Sequence, residues 1–373
     1  MCPGSVEAAA AAGAPGEGKS VCVMDAAGPL GHALVDRLLR RGYTVHAATY
    51  GEEEDDAGEE EAALVEHLAR TGGEAHAHRL KVFRADPFDY HAIADAVRGC
   101  AGVFCMFKTP DDQAHCDEVT VETEVRAAHN VLEACAQTDA MERVVFTSSV
   151  TAVVWGSDAK DEDRLVADEK CWSDLAFCRK FKVCHVPLAS DDTIKSLQFA
   201  HTVDAFTPAG SVVDSLDRRP ELTFSLALLQ LWHALAKTLS EKTAWALAMD
   251  RGVDMVAINA GLPTAPGLTA AHPYLKGAPD MYDAGVLVTV DVDFLADAHV
   301  AAYESPTAYG RYLCFDNAVC RPEDAVKLGQ MLSPSAPCSP PSDELKVIPQ
   351  RIQNKKINKL MLEFASGVYG ELD

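Results

Sequence analysis

Residues 20–49 constrain the fold more than any other stretch. SVCVM (20–24) is a short apolar, β-branched run that suits a buried strand. DAAGPLG (25–31) follows, then a helical pattern over 32–41, then GYTVHAAT (42–49) as a second strand. Strand, glycine turn, helix, strand is the opening of a dinucleotide-binding βαβ unit. The glycines permit a tight turn and let backbone N–H groups approach a pyrophosphate at the helix N-terminus. Gly28 and Gly31 take the second and third glycine positions, and Asp25 takes the first. Asp tolerates unusual backbone angles, but its carboxylate stands where an anion is to be received. After Tyr50 the chain turns acidic (Glu52, Glu53, Glu54, Asp55, Asp56, Glu59, Glu60, Glu61), at the strand end where an Arg would welcome a 2′-phosphate.

The alternation continues. A helix is expected over 62–71, a strand over 80–85 ending in Asp86-Pro87, a helix over 90–98 and a strand over 102–106. A helix over 119–138, a strand over 143–147 closing in Ser148-Ser149, a helix from 231 to 248 and a strand over 254–259 follow. This order predicts an α/β fold with a Rossmann-type doubly wound parallel sheet. Such sheets bind ligands beyond the carboxyl ends of their strands, which makes Ser149 a candidate. In LWHALAKTLSE (231–241), Leu231, Leu235 and Leu239 recur at helical spacing, and His233 and Lys237 share one face. A proton donor one turn from an ammonium suits general acid chemistry, because the charge lowers the donor's pKa. A solvated helix face is the plainer reading of that pair taken alone.

Composition excludes several classes. A net charge of −23 disfavours nucleic acid and anionic membrane surfaces, and no apolar run reaches transmembrane length. Residues 1–19 are Ala/Gly/Pro-rich without a basic n-region, so a flexible tail is expected rather than a secretory signal. Twelve cysteines without C-x-x-C spacing fit a reduced, cytoplasmic protein. His76 and His78 lack a third ligand, and no metal site is expected. Residues 333–342 read as a Pro/Ser-rich linker to a last helix.

With VVFTSSVTAV (144–153) and DEKCWSDLAFCR (168–179) in view, the chain resembles plant cinnamoyl-CoA reductases, extended short-chain dehydrogenases/reductases related to the dihydroflavonol reductases. RGYTV (41–45), ADPFDY (85–90), GVF (102–104), GRYLC (310–314) and KKINKLMLEF (355–364) carry the likeness across most of 21–364. The resemblance implies a Rossmann domain over 20–260 and a smaller substrate lobe with a C-terminal helix over 261–373. It implies NADPH-dependent reduction of a hydroxycinnamoyl-CoA thioester to its aldehyde, on the route to lignin monomers. Carried over by position, the catalytic serine is Ser149, the lysine Lys237, and the tyrosine falls on His233. The cofactor contacts it implies are Asp25, Ala26, Gly28, Leu30, Gly31, Tyr50, Asp86, Pro87, Lys237, Ala260 and Leu262. Several departures fall on one site: Asp25, Tyr50, His233, the bulky Cys105-Met106-Phe107-Lys108, and Ala260 in place of a proline. They imply either a reductase of weakened activity or a non-catalytic homologue that acts by binding, in the regulation of phenylpropanoid or defence metabolism.

The spacing from Ser149 to His233 also exceeds the family's. Excising residues 183–230 leaves CRKFKLWHALAKTLSE, which fits the family without a gap. The segment begins with Val and ends with Gln, whose codons can supply the GT and AG of intron ends. It shows no sustained period, and long structureless insertions in compact domains are uncommon. Two readings meet these facts: an intron retained and translated in frame, or a lid on the substrate side. Sequencing the transcript across this junction separates them.

Overall fold

The computed structural model describes residues 15–49, 78–86, 88–108, 116–156, 166–180, 231–333 and 347–366. Tyr50, Pro87, His76, the helix expected over 62–71, residues 1–14 of the N-terminal stretch, most of the 333–342 linker and all of 183–230 lie outside them.

Seven parallel strands form the main sheet, in the order β3-β2-β1-β4-β5-β6-β9. They are β1 (Ser20–Val23), β2 (Thr44–Thr49), β3 (Leu80–Arg84), β4 (Gly102–Cys105), β5 (Arg143–Ser149), β6 (Met255–Ala260) and β9 (Gly310–Cys314). The order reverses between β1 and β4, so ligands are expected beyond the carboxyl ends at that crevice. One face is covered by α1 (Pro29–Arg40), α7 (Val292–Glu304) and α9 (Lys355–Ser366), which bury Leu34, Leu38, Leu295, Val300 and Ile357. The other is covered by α2 (Tyr90–Val97), α3 (Glu118–Ala136) and α5 (Trp232–Arg251), through Ile93, Val131, Leu132 and Ala244. Burial on both faces is why residues 21–23 and 255–258 read as unbroken apolar runs.

Local signals fix the helix ends. Asp117 caps α3 by accepting from Thr120 N–H at 3.1 Å, and Asp89 caps α2 through His91 N–H at 2.9 Å. Helix α5 stops at Gly252, which adopts a left-handed φ of 69°.

A second core lies beyond the sheet's carboxyl edge. It gathers α4 (Leu175–Lys180), the start of α5, β7 (Leu262–Thr264), α6 (Ala278–Asp283), β8 (Val288–Asp291), β10 (Asn317–Ala318) and α8 (Pro322–Leu332). Strands β10-β8-β7 form a small separate sheet. The expected division at residue 260 is crossed by the chain. Helix α7 and strand β9 return to the main sheet, where β9 pairs with β6 from Val256↔Gly310 to Ala260↔Cys314.

The return is fastened by a buried ionic network. Glu241 on α5 is 0% exposed and accepts from Arg311 Nε at 2.6 Å, Ser148 Oγ at 2.7 Å and Asn259 Nδ2 at 2.7 Å. Arg311 also donates to the carbonyls of Glu169 and Cys171, and its guanidinium lies 3.7 Å from the Trp172 ring centroid. The C-W-S-D segment is thus a clasp. Its tryptophan roofs Arg311, Ser173 donates to Thr151 O at 2.8 Å, and Asp174 accepts from the first turn of α4.

The flanks of residues 181–230 meet. Leu231 N–H donates to Cys178 O at 3.0 Å, and α4 packs on α5. If residues 183–230 were removed, only 179–182 would separate the bonded pair. That spacing closes a helix C-terminus with a six-to-one bond. A shorter connection also costs less closure entropy. A variant lacking 183–230 is therefore expected to unfold cooperatively with a thermal midpoint no lower than that of the full chain. A lower midpoint, or loss of the cooperative transition, would show that the segment supports the fold.

Candidate active site

A cavity of about 590 Å³ opens at the carboxyl edge of the main sheet. Its wall is built from the turn before α1, the ends of β4, β5 and β6, the first turns of α5 and the loop after β7. Asp25, Gly28, Leu30, Gly31, Ser149, His233, Lys237 and Ala260 all lie on it. Met106, Phe107 and Lys108 line it too, so the bulk after GVF enters the cavity.

Three expected cofactor contacts lie elsewhere. Ala26 is fully buried with its N–H bonded to Ala48 O at 2.9 Å, because the turn folds back against β2. Leu262 is fully buried in the second core, while its neighbours Gly261 and Pro263 face the cavity in the alternation of a strand. Asp86 is exposed and off the wall, its carboxylate taken by Phe88 N–H at 2.7 Å in an Asx turn.

The turn itself is tight. Gly28 is the N-cap of α1 and Pro29 its first residue, an arrangement with no side-chain cap. A Cβ at Gly31 would sit 2.3 Å from Asp25 O, so only glycine lets the helix approach the turn. Asp25 adopts a left-handed φ of 51° and is alone among described non-glycine residues in doing so. Its carboxylate lies beside Gly28, 3.1 Å from where a Cβ would be. A helix N-terminus suits a pyrophosphate, and the Asp25 charge opposes one.

Ser149, His233 and Lys237 are all buried. The solvated-face reading of the His/Lys pair therefore fails, because α5 enters with this face turned inward. Lys237 Nζ donates to Glu124 Oε1 at 2.7 Å, in an ion pair both of whose side chains are buried. Ser240 Oγ reaches the other oxygen of Glu124 at 3.4 Å. His233 makes no hydrogen bond to Ser149. Its Nδ1 lies 3.1 Å from Thr151 Oγ1, and Thr151 donates to Ser149 Oγ from its hydroxyl at 3.0 Å and its backbone N–H at 3.2 Å. Burial, then Lys237, then His272 push the His233 imidazole well below its usual range, so the ring is neutral near pH 7.

Thr151 and Glu124 carry no signal in the sequence. Thr151 belongs to a 3-10 turn (Val150–Ala152) that the serine itself caps. Glu124 is an acidic residue on the inner face of α3, and only the packing of α3 on α5 gives it meaning. Among the described residues no group of three or more His, Cys, Asp or Glu side chains is placed to hold a metal ion, and no helix is long and apolar enough to cross a membrane.

Residues 21–170 match the NAD dependent epimerase/dehydratase family. The chain is 32% identical to cinnamoyl-CoA reductase 1 of Arabidopsis thaliana, over 94% of this chain and 86% of that protein. It is 30% identical to cinnamoyl-CoA reductase 1 of Petunia hybrida, over 93% and 88%. The crystal structure of vestitone reductase from alfalfa (Medicago sativa) shares the fold, with a TM-score of 0.54, 24% identity and 91% coverage of each chain.

Proposed function

From the chain's membership of the plant cinnamoyl-CoA reductase family, among the dihydroflavonol reductase-related extended short-chain dehydrogenases/reductases, we propose that it is an NADP-dependent oxidoreductase reducing a hydroxycinnamoyl-CoA thioester to the aldehyde. Its rate is held down by the imidazole at position 233. The observation that carries this reading is the convergence of Ser149, His233 and Lys237 on one cavity wall beside the glycine turn. The reaction belongs to phenylpropanoid metabolism, on the way to lignin monomers or defence compounds, in the cytoplasm.

The α1 N-terminus, Gly28 and Gly31 would hold the pyrophosphate of NADP(H), with Leu30 and Ala260 beside it. When bound, that cofactor would supply a hydride to the thioester carbonyl carbon; the carbon–sulfur bond then breaks, coenzyme A leaves as the thiolate and takes a proton from solvent, and the aldehyde remains. Ser149 Oγ–H polarises the carbonyl oxygen, and Lys237 adds positive charge to the wall. A phenol near an ammonium donates a proton well near neutrality, whereas neutral His233 does so poorly.

The second reading, a non-catalytic homologue that binds or regulates, is favoured by one observation. The Lys237 ammonium is already held by a buried carboxylate, Glu124, and so is partly neutralised for any ligand.

Cofactor titration by NADPH fluorescence separates the two. Saturable binding is expected, and no binding near millimolar NADPH would remove the enzyme reading. Asp25→Gly is expected to tighten NADPH on the order of tenfold. It removes a like charge beside the phosphate path and relaxes a left-handed backbone angle. Unchanged or weaker affinity would place the pyrophosphate away from this turn.

A further inference from the structure

The hydrogen bonds at the centre of the cavity fit one consistent direction. Ser149 Oγ accepts from both the N–H and the hydroxyl of Thr151. Thr151 has one hydroxyl proton, and it is spent on Ser149. The 3.1 Å contact between Thr151 Oγ1 and His233 Nδ1 then requires the imidazole to donate. A neutral imidazole that carries its proton on Nδ1 presents a lone pair at Nε2. Ser149, with its oxygen doubly engaged as acceptor, keeps its own O–H for the cavity it lines. Accepting two bonds also polarises that hydroxyl and makes it a better donor.

We propose that Thr151 is a positioning residue that sets the hydrogen-bond polarity of this centre, holding His233 in its Nδ1–H tautomer and leaving Ser149 as the side chain that donates to a ligand oxygen. His233 Nε2 is then an acceptor, suited to a hydroxyl and not to a bare carbonyl. Among the described residues of this wall no phenol takes the donor's place: Tyr274, edge-on to His233 at 6.2 Å, gives its O–H to Val288 O at 3.0 Å. Among the described residues, the charged and titratable groups around the ring are Lys237 on its own helix and Cys116, His272, Tyr274 and Lys276 facing it. None of them bonds Nδ1, which leaves Thr151 as the tautomer's determinant. The donation to a substrate oxygen rests on the reductase reading; the tautomer does not.

The test is two-bond ¹H–¹⁵N correlation spectroscopy on the full-length protein labelled with ¹⁵N-histidine, with the His233 signals assigned through His233→Gln. It needs neither cofactor nor substrate, so failure of NADPH binding would leave it standing. At pH 7 the pattern expected for His233 is a protonated Nδ1 and a bare Nε2. Thr151→Val, which keeps the shape but cannot accept, is expected to abolish that preference, and Thr151→Ser to keep it. Thr151→Ala serves as a second non-accepting variant, and dispersed signals from the other histidines report that each variant is folded. An Nε2–H pattern in the unmodified protein, or an unchanged Nδ1–H pattern in folded Thr151→Val and Thr151→Ala, would overturn the proposal.

Discussion

Arg311→Ala is expected to cost about 3–5 kcal/mol of unfolding free energy, the range found when one partner of a buried ion pair is removed. Glu241 is the reason. It is fully buried on α5, and Arg311 supplies both of its ionic hydrogen bonds, at 2.6 and 3.2 Å. Without the guanidinium, Ser148 and Asn259 still donate to the carboxylate, but no cation balances it. The loss also unroofs Trp172 and frees the carbonyls of Glu169 and Cys171, so the C-W-S-D clasp loosens together with the sheet edge. Urea unfolding followed by tryptophan fluorescence measures the effect. A loss under about 1 kcal/mol, the scale of an exposed pair, would mean that the network is hydrated and not a fastening.

His233→Tyr is expected to raise feruloyl-CoA reduction at least about tenfold, at the low end of what general acid catalysis contributes. The ring at 233 lines the cavity, and its one hydrogen bond among the described residues, through Nδ1, goes to Thr151. A phenol there extends a donor O–H further into the cavity than an imidazole can reach. The gain is limited by Glu124, which holds the Lys237 ammonium at 2.7 Å and reduces its power to lower the phenol's pKa. Steady-state rates at saturating NADPH decide the matter. Equal rates for the two proteins would mean that position 233 does not face the reacting oxygen.

The opening βαβ unit was legible because its strand period, glycine spacing and helix pattern are local. The strand end points to Ser149 and helical spacing to the His233/Lys237 pair, the resemblance gives them roles, and all three lie on one cavity wall. What the sequence withheld depends on pairings distant along the chain. Strand β9 joins β6 across some fifty intervening residues, so the boundary that the resemblance implies at 260 is crossed in the fold. Ala26 and Leu262 sit one position away from cavity-lining neighbours, Ala27 and Gly261, an offset that a motif match cannot resolve. Glu124 is one of two glutamates in VETEVR, and its burial is set by α5 packing against it. Thr151 matters only because an imidazole arrives from another element.

The late arrival of β9 has a consequence for biosynthesis. A nascent chain that has emerged only to β6 carries an open sheet edge and a carboxylate still waiting for its cation. Both stay uncovered while the intervening lobe leaves the ribosome, since Gly310–Cys314 and Arg311 are translated last among the strands of the main sheet. Unpaired edges of this kind invite association with other chains. Folding of the main sheet is in this way tied to synthesis of the chain as far as Cys314.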